Sequence, residues 1–206
     1  MAWWTEQVVP RVTDASLRGR ALGESRARAC AGLTGRVLEL GFAGGLNLVH
    51  LPPEVESVGA VEPSDTGWRL SEKRRARSSV PVERIGLDGQ SIAAEDSSYD
   101  SALCTFTLCT IPDARTALAE VRRLVRPRGM FHFLEHGLAT DPATARWQRR
   151  LDPWQQRLAG GCHLTRDPGE LVEESGMLLA WLETGTLPGF SGPAALTYGY
   201  LGAARV

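Results

Sequence analysis

Lysine is nearly missing from this chain. Among its 23 basic residues only Lys73 is not arginine, and 24 acidic residues bring the net charge to -1. That balance excludes nucleic acid or an anionic lipid surface as a partner held mainly by charge. Cysteine is scarce: Cys30, Cys104, Cys109 and Cys162 form no C-x-x-C pair and do not stand with histidine at zinc-finger spacing. Neither a disulfide framework nor a metal-ligand set is expected, and the thiols are expected to be reduced, as in a cytoplasmic protein. Long apolar runs are absent. The stretch MLLAWL at 177–182 is among the longest, far below the roughly 20 residues of a membrane-spanning helix. The opening MAWWTEQVVPRV lacks the basic stretch and apolar core of a secretory signal. There is no internal repeat and no low-complexity tract.

What is present has the make-up of an ordinary globular domain. Hydrophobic residues are 43% and charged residues 23% of 206, enough for one domain with a sizeable core. From residue 36 onward short apolar runs alternate with helical patterns. RVLELG (36–41), SVGAVEP (57–63), VPVERIGLDG (80–89), DSALCTF (100–106) and MFHFLEHG (130–137) read as five strands. SDTGWRLSEKRRA (64–76) reads as a helix capped by Ser64. In DARTALAEVRRLV (113–125), Ala114, Ala117, Leu118, Val121, Leu124 and Val125 fall on one helical face, and RPRG ends the helix. The segment 140–161 reads as an inserted helix, and 165–176 as a helix with Gly176 at its C-cap. MLLAWLETG and AALTYGYLGAAR close the chain as two strands; joined without a helix, they must be antiparallel. The expected class is α/β: a Rossmann-like, seven-stranded, mostly parallel sheet with an antiparallel last strand and helices on both faces.

In such sheets ligands bind beyond the C-terminal ends of the strands, so the turn after the first strand forms the floor of a site. That turn is GFAGGLN. It fails the dinucleotide spacing G-x-G-x-x-G, because Ala43 and Leu46 stand where glycine is needed. It fails the phosphate-binding P-loop, because no Lys-Ser or Lys-Thr follows. It does fit an acid two residues before the first glycine: Glu39, Gly41 and Gly45.

With those three residues the chain resembles the class I methyltransferases that use S-adenosylmethionine, whose first motif runs E/D-x-G-x-G-x-G, with x-N following in one branch. The resemblance implies a cofactor without phosphate, held by backbone at a glycine turn. Gly41, Phe42, Ala43, Gly45 and Asn47 would line it, and Glu39 would hold its ammonium end. Glu62, followed by Pro63, ends the second strand and would accept the ribose hydroxyls. Asp88 and Gly89 would meet the adenine. Thr105, Phe106 and Leu108 would line the cofactor from the fourth strand. Ala43 departs from the motif: its methyl is tolerated at negative φ and clashes at positive φ.

TLCTIPD (107–113), FLEHG (133–137), RWQRRLDPWQQRLAGGCHLTRD (146–167) and LETGTLPG (182–189) are similar to a bacterial branch of small-molecule methyltransferases. That branch is related to animal enzymes that methylate alkyl thiols, and more distantly to quinone and phospholipid methyltransferases. The resemblance implies a single methyltransferase domain over 1–206, with an N-terminal helical lid (1–34) and an acceptor-covering insert (138–167). It implies a soluble form, since the hydrophobic anchor of the animal relatives is not found here. It implies a small, apolar methyl acceptor, a thiol before a quinone, phenol, amine or phospholipid headgroup. A thiolate is already a good nucleophile and needs no strong general base. A non-catalytic cofactor-binding protein is the alternative of another class. His136, at the end of strand five, and His163, in the insert, are the candidates to orient or deprotonate the acceptor. Cys109 is expected to be a small packing residue. Cys162 and His163 are adjacent and should point apart, which argues against a nucleophilic pair. Trp3, Trp4, Val8 and Val12 share a helical face, expected to close over the cofactor, dock on the core or touch a membrane surface. Trp147 and Trp154 are expected to wall an apolar pocket or pack in the core.

Overall fold

Seven strands form one sheet in the order β3-β2-β1-β4-β5-β7-β6. They are β1 (Gly35–Leu40), β2 (Val55–Val61), β3 (Val82–Gly86), β4 (Tyr99–Thr105), β5 (Val125–His136), β6 (Leu178–Thr186) and β7 (Tyr198–Arg205) in this computed structural model, which describes residues 3–188 and 192–206. The first five strands run parallel. β7 lies antiparallel between β5 and β6, which leaves β6 at the edge. The expected class therefore holds. The order also fixes a switch point: the chain leaves β1 towards β2 and β3, then returns to β4 on the other side. The crevice beyond β1 and β4 is where such sheets bind ligands.

Alternation along the buried strands sends side chains to two cores. Leu38, Leu40, Ala102, Cys104, Phe131 and Phe133 face one side. Val37, Leu103 and Leu134 face the other. The helices follow from local signals. α1 (Val9–Ser16) continues a π-helical turn, Trp4–Val8, and α2 (Arg20–Cys30) buries Leu22, Ala29 and Cys30. Ser64 caps α3 (Asp65–Leu70) by accepting from the Gly67 amide at 3.0 Å, and α4 (Glu72–Arg75) follows after a break at Ser71. Asp113 caps α5 (Ala114–Leu124), whose buried face is Ala114, Ala117, Leu118, Val121 and Leu124. Asp141 caps α6 (Pro142–Leu158), and Asp167 caps α7 (Pro168–Glu174), past which Gly176 is left-handed at φ 86°.

Four expectations need correction. Ala194–Thr197 form a helical turn, α8, so the last strand starts only at Tyr198; Pro193 at its N-cap sets the turn. RPRG does not merely end α5. It bulges out of β5, so that Tyr99 pairs with Val125 but Ser101 already pairs with Met130. The face of Trp3, Trp4, Val8 and Val12 does not dock on the core: Trp3, Trp4 and Val12 are exposed, Val8 is half-buried, and Trp4 Nε1 donates to the Leu158 carbonyl at 3.2 Å. Trp147 and Trp154 are 56% and 62% exposed, on the outer face of α6, and neither packs in the core. LETGTLPG, at its final residue, and the three residues 189–191 as a whole lie outside the described residues.

No helix among the described residues is long and apolar enough to cross a membrane.

Candidate active site

The turn after β1 is wound by alternation. Gly41, Ala43 and Gly45 take φ of 70°, 46° and 70°, so every second residue is left-handed. Glycine adopts this freely; an L-residue loses about 1–2 kcal/mol. Ala43 thus occupies the conformation in which its methyl is strained. No α-helix follows this turn, only a single 3-10 turn at Leu48–His50.

Beneath the turn lies a buried polar network. Glu39, 1% exposed, accepts from Asn47 Nδ2 at 2.7 Å. Asn47 Oδ1 accepts from the Arg26 guanidinium at 2.7 Å, and Thr105 Oγ1 accepts from both Arg26 (2.9 Å) and Asn47 (3.0 Å). Arg26 comes from α2, Glu39 from β1 and Thr105 from the end of β4. Burial pushes the Glu39 carboxyl up to about 7, against the pull of the Asn47 hydrogen bond and the Arg26 charge. Its second oxygen, Oε2, is buried with no hydrogen-bond partner within the protein. Burial also lowers Arg26.

Glu62 lies at the end of β2, 4% exposed. Its oxygens accept from the amides of Ala43 (2.6 Å) and Ser64 (2.7 Å), and its carboxyl is raised by burial. Pro63 stands between these two contacts. Asp88 is exposed and accepts from the amide and side chain of Gln90, both at 2.9 Å. Gly89 is buried; a Cβ there would meet Ile111 at 2.9 Å and Leu40 at 3.4 Å. After β4, Phe106 is left-handed at φ 54°, with the Arg26 guanidinium 5.4 Å from its ring. Leu108 is buried in the core, and Phe42 packs against Trp68.

Several residues here had no signal in their sequence neighbourhood. Asp14 of α1, 4% exposed, pairs with Arg74 at 2.7 Å and with Arg18. Arg74 also donates to the Gly44 carbonyl at 2.6 Å. The N-terminal helix is thereby fastened to the glycine turn by Asp14, not by its tryptophans. Glu135, fully buried, accepts from the amides of Thr107 (2.9 Å) and Cys109 (3.3 Å) and from the Cys104 thiol (3.2 Å). It sets the loop after β4. An acid ending the apolar strand MFHFLEHG was its one visible mark.

At the far side, His136 stacks edge-on against Phe106 with centroids 5.1 Å apart and lies beside Cys109 and Cys162. His163 does not join it. Its Nδ1 is 3.8 Å from Asp152 Oδ2, and burial lowers its pKa.

A parallel sheet of this order, with a buried acid before a left-handed glycine turn at its switch point, defines a class I S-adenosylmethionine-dependent methyltransferase fold. Residues 38–133 of the chain match the model of the methyltransferase-domain family, and S-adenosylmethionine is the cofactor that goes with it. The rat thiol S-methyltransferase TMT1B is 31% identical over 147 residues, 68% of this chain and 58% of that protein. The human thiol S-methyltransferase TMT1A is 32% identical over 154 residues, 70% of this chain and 62% of that one. The chain thus spans about three fifths of the length of these relatives. The methyltransferase solved in complex with the Haloferax volcanii Trm112 activator superposes with a TM-score of 0.71 at 12% identity, covering 98% of this chain and 95% of its own. That likeness speaks for the fold alone.

Two outcomes follow from the turn and its network. Ala43→Gly should raise the unfolding free energy by about 1 kcal/mol by relieving the left-handed strain; an unchanged or lower value in urea denaturation would contradict it. The raised Glu39 carboxyl binds its proton more tightly in the folded than in the unfolded chain. Its contribution to stability is full below about pH 4.5 and is lost as pH rises through about 7. Stability of Glu39→Gln should therefore fall less than that of the parent across this range. Parallel profiles would remove Glu39 as the titrating group.

Proposed function

We propose that this chain transfers the methyl group of S-adenosylmethionine to a small, apolar thiol, releasing S-adenosylhomocysteine. The observation that carries the reading is Glu39: a carboxylate buried at the switch point, with one oxygen lacking any protein donor. A cationic ligand supplies what that oxygen lacks, and the cofactor brings an ammonium and a sulfonium.

The remaining residues fit roles around such a ligand. Asn47 and Arg26 hold Glu39 in place. Gly41, Phe42, Ala43 and Gly45 lie against the ribose and amino-acid portion. The Ala43 amide is taken by Glu62, yet each Glu62 oxygen keeps a further lone pair for the ribose hydroxyls. Pro63 stiffens the chain beside it. Asp88, exposed on a turn over Gly89, faces the adenine amino group. Thr105, Phe106 and Leu108 bound the reacting end, and His136 and His163 border the acceptor. Glu135 keeps the Thr107–Cys109 backbone in register with that end.

The thiol preference rests on the similarity to thiol methyltransferases and on chemistry. Displacement at a sulfonium methyl is in line and needs positioning and exclusion of water more than proton transfer. Thiols are partly ionised near neutral pH.

Turnover decides between catalysis and mere binding. With a panel of small thiols, S-adenosylhomocysteine should accumulate to many times the enzyme concentration. If it never exceeds one equivalent with any thiol, the catalytic thiol reading fails. Glu62→Ala should weaken cofactor binding by about 1–3 kcal/mol, from loss of hydrogen bonds to a charged group. An unchanged dissociation constant by isothermal titration would take Glu62 out of the site.

A further inference from the structure

Three side chains far apart in the sequence meet beyond the ends of β4 and β5. Cys109 lies in the loop after β4, His136 ends β5, and Cys162 follows α6. Their ligand atoms all lie within 4.8 Å of one another, with both cysteines buried and the histidine partly so. Cys162 Sγ is 3.9 Å from His136 Nδ1. In a tetrahedral zinc site with Zn–S of about 2.3 Å and Zn–N of about 2.05 Å, the sulfur–nitrogen edge is about 3.6 Å. The side chains need a shift of only about 0.3 Å along that edge.

The backbone that carries them is braced. The His163 amide donates to the Cys109 carbonyl at 2.7 Å, so the two cysteine segments are tied to each other. The Leu164 amide donates to Asp152 Oδ1 at 2.6 Å, which fastens the second segment to α6. Glu135 holds the first segment through the Cys109 amide. Phe106 packs against the His136 ring and fixes its plane. Two sulfurs and one imidazole nitrogen suit zinc and disfavour magnesium or calcium, which take oxygen ligands. Three protein ligands leave a fourth position open, as reactive zinc sites do and closed structural sites do not.

We propose that Cys109, His136 and Cys162 bind one zinc ion, and that its open position receives the acceptor thiol as thiolate. The second half rests on the thiol reading above; the metal site stands without it. The electrons balance without any oxidant. Both cysteines release their protons to solvent as the metal binds. The acceptor thiol loses its proton to water as its sulfur joins the metal. That sulfur attacks the methyl carbon of the cofactor, forming a carbon–sulfur bond. The methyl–sulfonium bond breaks, and its electron pair stays on the departing sulfur as the neutral thioether of S-adenosylhomocysteine. The methylated product is a thioether and a weaker ligand than the thiolate it replaces, so it leaves.

The test uses the full chain, stripped with chelator and refilled with zinc or with cobalt(II). One equivalent of zinc should bind in competition with a chromophoric chelator. Cobalt should give thiolate-to-metal charge-transfer bands and the intense visible bands of a tetrahedral site. Cys162→Ser and His136→Gln should each weaken the metal by at least about 10–100-fold, the loss that even an outer-shell change brings. Circular dichroism checks that each variant is folded. Adding a small thiol should shift the cobalt bands. Less than a tenth of an equivalent bound by folded protein, six-coordinate cobalt without thiolate bands, or undiminished affinity in both variants would overturn the metal site. Cobalt bands that no thiol moves, or full thiol turnover by metal-free protein, would overturn the fourth-ligand role and leave thiol methylation intact. A metal-loaded site without turnover on any thiol would instead overturn the functional reading and leave the metal site standing.

Discussion

The site is organised around a carboxylate that has been taken out of water. Glu39 sits near the C-terminal end of β1, and the Arg26 guanidinium is linked to it through Asn47, with Thr105 bonded to both. Burying such groups costs several kcal/mol each unless their hydrogen bonds are met. Four elements must therefore arrive together: α2 with Arg26, β1 with Glu39, the glycine turn with Asn47, and β4 with Thr105. The parallel pairing of Glu39 with Leu103 and Leu40 with Cys104 fixes this meeting to one register. A slip of one residue would send Glu39 to the opposite face of the sheet, away from Asn47 and Arg26 and towards the core that already buries Glu135. The same carboxylate keeps one oxygen unused, so the fold is complete around it while its electrostatics are not.

Above it, the glycine turn is enclosed from three sides. Thr107 covers Gly41 so closely that any Cβ there would lie 1.8 Å from its hydroxyl. Asp14 and Arg74 cover Gly44. Glu62 caps the Ala43 amide. The turn holds its left-handed alternation because these neighbours leave no space for another path, and that is how a residue with a side chain comes to be accepted at position 43. The cost of one strained alanine is small beside the bonds that hold it.

How much of this the sequence showed depends on the range of each signal. Strands β1, β2, β4 and β5 were legible because their apolar runs are continuous and end in turn residues. Ser64 was legible as a cap because a cap bonds within three residues of itself. The acids Glu39 and Glu62 stood out against apolar strands. The break at Ser71 was hidden, because the charged pattern runs straight through it. The bulge at 126–129 was hidden as well, because a left-handed Arg128 has no marker of its own. Arg26 and Arg74 were invisible among so many arginines; only the distant partners Asn47 and Asp14 single them out. Cys162 and His136 are 26 residues apart, a separation that matches no local motif. The adjacent Cys162 and His163 point apart, as their adjacency predicts: the structure turns the former towards His136 and the latter towards Asp152.

The rarity of lysine acquires a practical meaning once the glycine turn is in view. Lys73 is exposed on α4 and immediately precedes Arg74, the residue that grips both Asp14 and the Gly44 carbonyl. It carries the only side-chain amine in the protein. A fluorophore attached through lysine chemistry therefore lands one residue from the fastening between the N-terminal helix and the turn. Arginine elsewhere on the surface, with its delocalised and always protonated guanidinium, stays untouched by such reagents. Composition has thus left this molecule with a single side-chain amine for labelling beside the glycine turn.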